Sequence, residues 1–264
     1  MAPTALIAAL LVFYGYTSLA AQFAYFGVPV DALGFSTQDY SLRAPEALLA
    51  PGLVLLLAGA GLAWLDGVVR RRLPPSDAAQ HPALLGLRWT GAVALGCGLV
   101  LLLSYAAFET WDPYPLVTPA LIGFGAGALA LAATWSAPAG RRPSTALVLL
   151  GLILVTSMFW ATGTVAQWAG TGQAQSLAAE LEVLPAVVLD TPERLLAGTP
   201  TVVESVLPTH EGQAFRYRYR GLRVLAAGDD RLFLVPAEWS SSGSTFVIDL
   251  DEARVKFRFV DDPP

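Results

Sequence analysis

Residues 146–168 read ALVLLGLILVTSMFWATGTVAQW, 23 residues without one Asp, Glu, Lys or Arg. As a helix rising about 1.5 Å per residue, this stretch is roughly 35 Å long, enough for the ~30 Å hydrocarbon core of a bilayer. It decides the class of fold: an integral membrane protein. Four further runs share its character, at 5–26, 47–65, 84–108 and 116–135, the third with Arg88 near its start. Breakers separate the runs: Val28-Pro29-Val30, Leu73-Pro74-Pro75, Asp112-Pro113 and Ala137-Pro138-Ala139-Gly140. The expected architecture is a membrane α-helical bundle of five transmembrane helices over residues 1–168. The number falls to four if Ser18-Leu19-Ala20-Ala21 is a leader-cleavage site. The lack of a basic n-region, and apolar continuation through Phe23, Tyr25 and Phe26, favour a retained helix.

Charge divides the chain between two solvents. Only 14% of the 264 residues are charged, against roughly 25% in a soluble domain. Before residue 170 there are seven bases and seven acids; after it there are nine bases and fourteen acids, so the tail carries the whole net charge of −5. An acidic tail excludes the basic footprint that nucleic acid requires. Six Arg (Arg70, Arg71, Arg72, Arg88, Arg141, Arg142) lie on one side of the expected bundle. Arg43 is alone on the other, with Asp31, Asp39, Glu46, Glu109 and Asp112. The positive-inside rule then places the Arg loops and the N-terminus in the cytoplasm and the C-terminal domain outside the plasma membrane. Trp89, Trp111, Trp135 and Trp168 fall near run ends, where interfacial aromatics belong.

Beyond Trp168, helical periodicity continues through Leu177, Leu181 and Leu184, which predicts a helical connector over 169–184 that ends before Pro185. Gly170 and Gly172 are candidate breaks in it. The period then changes to two, predicting a small extracytoplasmic α+β domain with an antiparallel sheet over 185–264. Strands are expected at 186–189, 202–207, 214–225, 231–235, 245–250 and 254–260, the last two as a hairpin, with a helical turn at Thr191-Pro192-Glu193. Phe215, Tyr217 and Tyr219 alternate with Arg216, Arg218 and Arg220, and Val255, Phe257 and Phe259 with Arg254, Lys256 and Arg258, which predicts one apolar and one wet face. The tail from about residue 173 should fold alone, though marginally at that size.

Candidate functional residues are few. Tyr14, Ser18 and Gln22 recur every four residues on the first helix, and Thr156, Trp160 and Thr164, with Gln167 nearby, on the fifth. Interhelical hydrogen bonding, worth about 0.6 kcal/mol per contact, is the favoured role. A polar ligand groove is the alternative. Gln22, Gln167, Ser18 and Thr164 are the candidate intramembrane contacts, with Gln22 and Gln167 expected at similar depth. Gly123 and Gly127 form a GxxxG pair that suits close packing in the bundle, or a homodimer. Arg216, Arg218 and Arg220 are a candidate anion-facing surface, for lipid headgroups or an acidic wall polymer; a solvated face balanced by acids is the favoured reading. His81, His210 and the lone Cys97 lack metal-ligand spacing. Ser240, Ser241, Ser242 and Ser244 lack a nucleophile elbow and a base. Glu109 and Asp112, three apart at the expected outer surface, suit an acid pair or a weak cation site, with interfacial solvation the favoured reading. No catalytic, cofactor or metal residues are assigned, and no enzyme is expected.

Tyr25-Phe26-Gly27-Val28-Pro29, Leu184-Pro185-Ala186-Val187-Val188, Tyr219-Arg220-Gly221-Leu222-Arg223-Val224-Leu225, Phe233-Leu234-Val235-Pro236 and Trp239 together resemble a family of uncharacterised multi-pass membrane proteins of high-GC actinobacteria with no assigned activity. The resemblance implies the architecture and supplies no site residues. The expected function is that of a cell-envelope interaction or accessory component, whose partners are the bilayer and an envelope protein or a second copy. The main rival is a transporter or channel subunit with a polar path between the first and fifth helices. A third reading, which the missing motifs weigh against, is a membrane-embedded enzyme working at the outer surface through Glu109 and Asp112.

Overall fold

The computed structural model of the chain describes residues 3–34, seven positions between 53 and 68, 81–108, 110–137, 144–195, 198–208, 214–228, 230–238, 240, 243–251 and 253–257. Four long apolar helices and a six-stranded antiparallel sheet make up the described part. The helices are α1 (Pro3–Tyr25), α2 (Pro82–Leu103), α3 (Tyr114–Ser136) and α4 (Thr145–Ala179), and each is long and apolar enough to cross a membrane. The run at 47–65 lies outside the described residues, apart from scattered positions such as Leu53, Leu57 and Trp64, which are helical.

Local chemistry sets the helix ends. His81 caps α2: its Nδ1 accepts the Ala83 N–H at 3.3 Å, and Pro82 takes the first helical position, where no donor is needed. α2 stops at Leu103, five residues before the expected end. Ser104 leaves the helical region (φ −96°, ψ 23°), a four-residue helical turn (Tyr105–Phe108) follows, and the Tyr114 hydroxyl donates to the Leu101 carbonyl near that end. α4 runs unbroken through Gly170 and Gly172 to Ala179. A 3₁₀ turn (Leu181–Val183) then ends the helical stretch before Pro185, as expected.

The chain forms two compact units: Met1–Gly15 with Ala44–Ala166, and Tyr16–Arg43 with Gln167–Pro264. In the first, small residues let the helices approach. Gly91 and Gly98 of α2 meet α3 at Ala128 and Ile122, and a methyl added at Gly125 of α3 would lie 2.7 Å from the Gly91 carbonyl oxygen. Gly123 and Gly127, the GxxxG pair, lie against Ser157 and Leu154 of α4.

In the second unit the strands are β1 (Ala186–Thr191), β2 (Val203–Val206), β3 (Tyr217–Ala227), β4 (Arg231–Pro236), β5 (Phe246–Asp249) and β6 (Arg254–Phe257), in the order β5-β4-β3-β1-β6, with β2 on the first half of β3. The expected hairpin between the last two strands does not form. β5 pairs with β4 and β6 with β1, at opposite ends of the sheet. Five Cα steps from Asp249 to Arg254 span at most about 18 Å, and residues 250 and 251 spend part of that on a turn. Five flat strands would set those edges about 19 Å apart, so the sheet must curl. Gly221 (φ +83°) sits in a bulge of β3 and a second irregularity follows at 224–226; bulges sharpen twist. One face of the sheet carries a core of Leu189, Tyr219, Leu222, Leu232, Leu234 and Ile248.

The expectation of one wet face holds for only part of the sheet. β4 is buried on both sides. Phe233, on its outer side, packs with Phe23, Val28, Val30 and Leu33, and Val235 packs with Phe26, Ala174, Ala178 and Leu181. This is why residues after α1 belong to the second unit. No helical turn forms at Thr191: it still pairs in β1, and its Oγ1 donates to the Glu193 carbonyl at 2.6 Å.

Candidate functional site

The four candidate contacts within the helices part company in the structure. Thr164 of α4 is buried and donates to the Pro115 carbonyl at 3.0 Å and to the Trp160 carbonyl at 3.2 Å. The cause of the first bond is visible in the sequence. Pro119 has no N–H, so the Pro115 carbonyl one turn earlier lacks its helical donor. Thr164 supplies it from the neighbouring helix. Ser18 is 2% exposed, and its carbonyl lies against Gly170 of α4. Thr156 and Trp160 are exposed, whereas Ser157, which the four-residue stripe omitted, is buried against Gly123.

Gln22 and Gln167 are not brought together. Gln22 is half-buried, Gln167 is exposed, and no hydrogen bond joins them. Ser18 is level with Gly170. Gln22 lies four residues above that level and Gln167 three below, an offset of about 10 Å at 1.5 Å per residue. The expectation of equal depth assumed that both helices end at one plane, but α4 continues to Ala179.

Arg218, Arg220, Arg254 and Lys256 lie by alternation on the outer face of the sheet, in the part that no described helix covers. Arg218 is bound to Asp190, directly opposite on β1: Nε to Oδ1 at 2.7 Å and Nη2 to Oδ2 at 2.9 Å. These hydrogen bonds hold the Asp190 carboxyl below the usual carboxylate range, against the opposing effect of burial, and the charges of Arg218, Lys256 and Arg254 add to them. For Arg218 the balancing acid is therefore real. Arg216 and Arg220 are exposed, and no described carboxylate pairs with either. Arg254 stands over the Phe215 ring, 4.8 Å from its centre. Arg258 lies outside the described residues. Arg223, which the alternation did not single out, donates to the carbonyls of Glu182 and Leu184 and ties the end of the helical connector to β3.

The remaining candidates have local roles or lie outside the description. His81 is a helix cap. His210, Glu109, Ser241 and Ser242 are not among the described residues. Ser240 forms a turn with Gly243. No group of three or more metal-ligating side chains gathers among the described residues. The bundle unit carries an apolar groove of about 580 Å³ along α3 and α4, lined by Pro119, Gly123, Phe124, Leu131, Leu154 and Met158 among others. No protein-family model, curated protein or solved structure matches the chain.

Proposed function

We propose that the chain is a five-span plasma-membrane protein of the multi-pass type seen in high-GC actinobacteria. It serves as an interaction or accessory component of the cell envelope, and its bundle anchors and presents an outer sheet domain. The observation that carries the reading is the use made of polar groups in the long helices. Thr164 mends the backbone at Pro119, Tyr114 bonds the Leu101 carbonyl, and Arg88 donates to Ser136 at 2.8 Å. Those groups act in packing, which favours an anchor over a solute path. Large apolar side chains of α2 meanwhile stay uncovered, Trp89, Val93, Val100 and Leu103 among them, as suits a lipid solvent.

Helix polarity supports the fifth crossing. Ser18 meets Gly170, and Phe26 meets Ala174 and Ala178, so α1 and α4 run the same way. α2 and α3 are antiparallel, with Gly91 on Ala128 and Gly98 on Ile122; α3 and α4 are antiparallel, with Pro115 on Thr164 and Gly127 on Leu154. α2 therefore runs in the direction of α1. A chain that leaves one helix and enters the next in the same direction crosses once more between them, and the run at 47–65 suits that crossing.

The orientation is tested with single cysteines at positions 36, 76 and 242 in a Cys97→Ala background, since Cys97 is exposed. A membrane-impermeant thiol reagent on intact cells should label 36 and 242 and leave 76 silent. Labelling of 76 alone would invert the topology. Purification of the full chain in mild detergent should retain an envelope partner. Solute flux through vesicles that hold this chain alone would favour the transporter instead.

A further inference from the structure

The cross-strand row at Asp190 demonstrates what the uncovered outer face does with an oxyanion. Asp190 on β1 has Arg218 of β3 and Arg254 of β6 directly opposite it, one on each side. It is 2% exposed, with both oxygens bonded to Arg218. The next row along repeats the cations without the acid. Val188 occupies the central position. Lys256 is its partner on β6, and the Arg220–Gly221 bulge lies opposite on β3. Leu189, Tyr219 and Val255 turn into the core, so by alternation Val188, Arg220 and Lys256 turn outward. Arg220 and Lys256 are both exposed, and no described carboxylate pairs with either. Two strand spacings set their Cα atoms about 10 Å apart, a gap two long side chains close onto one anionic group.

Two observations choose the occupant. An exposed apolar side chain borders the cations: Val203, opposite Arg220 on β2, at 59% exposure. Cations mixed with apolar groups suit the boundary between headgroups and acyl chains. The covered half of the same outer face, through Phe233 and Val235, packs on the last turn of α1 and on Ala174 and Ala178 of α4. The sheet therefore rests on the outgoing ends of two helices long and apolar enough to cross a membrane.

We propose that Arg220 and Lys256, flanking Val188, bind the phosphate of an anionic phospholipid headgroup, an inference that rests on the membrane reading above. The full-length chain in mild detergent is titrated with short-chain phosphatidylglycerol, with phosphatidylcholine and with inorganic phosphate, and bound lipid is counted by native mass spectrometry. Phosphatidylglycerol should bind, and the other two should neither bind nor compete. Arg220→Gln and Lys256→Gln should each weaken binding about fivefold, and the double variant about thirtyfold, at about 1 kcal/mol per basic residue. Arg220→Lys should retain binding, and Arg231→Gln, at the opposite end of the sheet and paired with Asp249, should have no effect. Unchanged binding by the double variant overturns the site. Equal binding of phosphatidylcholine overturns the role of charge, and competition by inorganic phosphate overturns the lipid as occupant. Circular dichroism checks that the variants fold. Failure of the membrane reading would appear separately, as release of the wild-type chain from membranes by alkaline carbonate.

Discussion

Three glycines of α4 should respond differently to the same substitution. Glycine to alanine gains about 1 kcal/mol of helix propensity at an unobstructed position. Gly172 is such a position, with nothing within 4 Å of an added methyl. Gly163 would bring the methyl 3.2 Å from a ring carbon of Phe13, a side chain that can tilt away. Gly170 has no such freedom, because its methyl would fall inside contact distance of the Ser18 backbone carbonyl and 3.0 Å from Ala21 Cβ. α1 would have to withdraw by about 1 Å, which forfeits a quarter to a half of each local dispersion contact. Overpacking of this kind costs about 1–3 kcal/mol. Gly172→Ala should therefore stabilise by up to about 1 kcal/mol. Gly163→Ala should be near neutral, and Gly170→Ala should fall about 1–3 kcal/mol below Gly172→Ala. Thermal unfolding in mild detergent, followed by circular dichroism, measures all three. Gly170→Ala and Gly172→Ala agreeing within about 0.5 kcal/mol would refute the close crossing of α1 and α4.

Other outcomes follow from single contacts. Thr164→Val should cost about 1 kcal/mol in wild type and much less in a Pro119→Ala background, where an N–H again serves the Pro115 carbonyl; strict additivity in that double-mutant cycle would reject the assignment. Asp190→Asn should cost about 2–3 kcal/mol, below the usual range for a buried pair because Arg218 is partly exposed. Because the folded-state pKa of Asp190 is depressed, its contribution is present above the unfolded carboxylate value of about 4 and disappears as pH falls through the lower folded value. Acid titrations of the two proteins should therefore converge below about pH 4, and parallel curves would contradict the pairing. A fragment beginning at residue 173 lacks Phe23, Val28, Val30 and Leu33, so Phe233 loses its cover; it should bind a hydrophobic dye strongly, and fusing residues 16–34 back should suppress that binding.

The sequence displays the long helices because charge-free runs have one physical use. It displays the strands because alternating Arg with Tyr or Phe has a period of two. Strand order is another matter. Alternation assigns a face and says nothing of a neighbour, so a four-residue link between β5 and β6 resembled a hairpin although it closes a curled sheet. Asp190 and Arg218 are 28 residues apart, a separation over which no local pattern operates. Two signals were present and carried more than the alternation took from them. Leu232-Phe233-Leu234-Val235 has no polar residue in four, the mark of a strand covered on both sides. Pro119 inside an apolar helix requires a donor from elsewhere, and Thr164 was already a candidate.

The same logic locates what is left for function. In the long helices, Thr164, Tyr114 and Arg88 are committed to backbone carbonyls or to another hydroxyl, and Gly91, Gly98, Gly123, Gly125 and Gly170 to close packing. On the sheet, the outer face is apolar where helix ends and the segment after α1 cover it, and cationic where nothing described covers it. A solvated face with no further use has no need to concentrate its bases. On this face, one row of cations encloses its own carboxylate, and the next row offers the same arrangement around a valine. Burying Asp190 against two strands of cations fixes the first row as structure. The second row adds no described ion pair to the fold, and it is therefore the place where an external anion adds most.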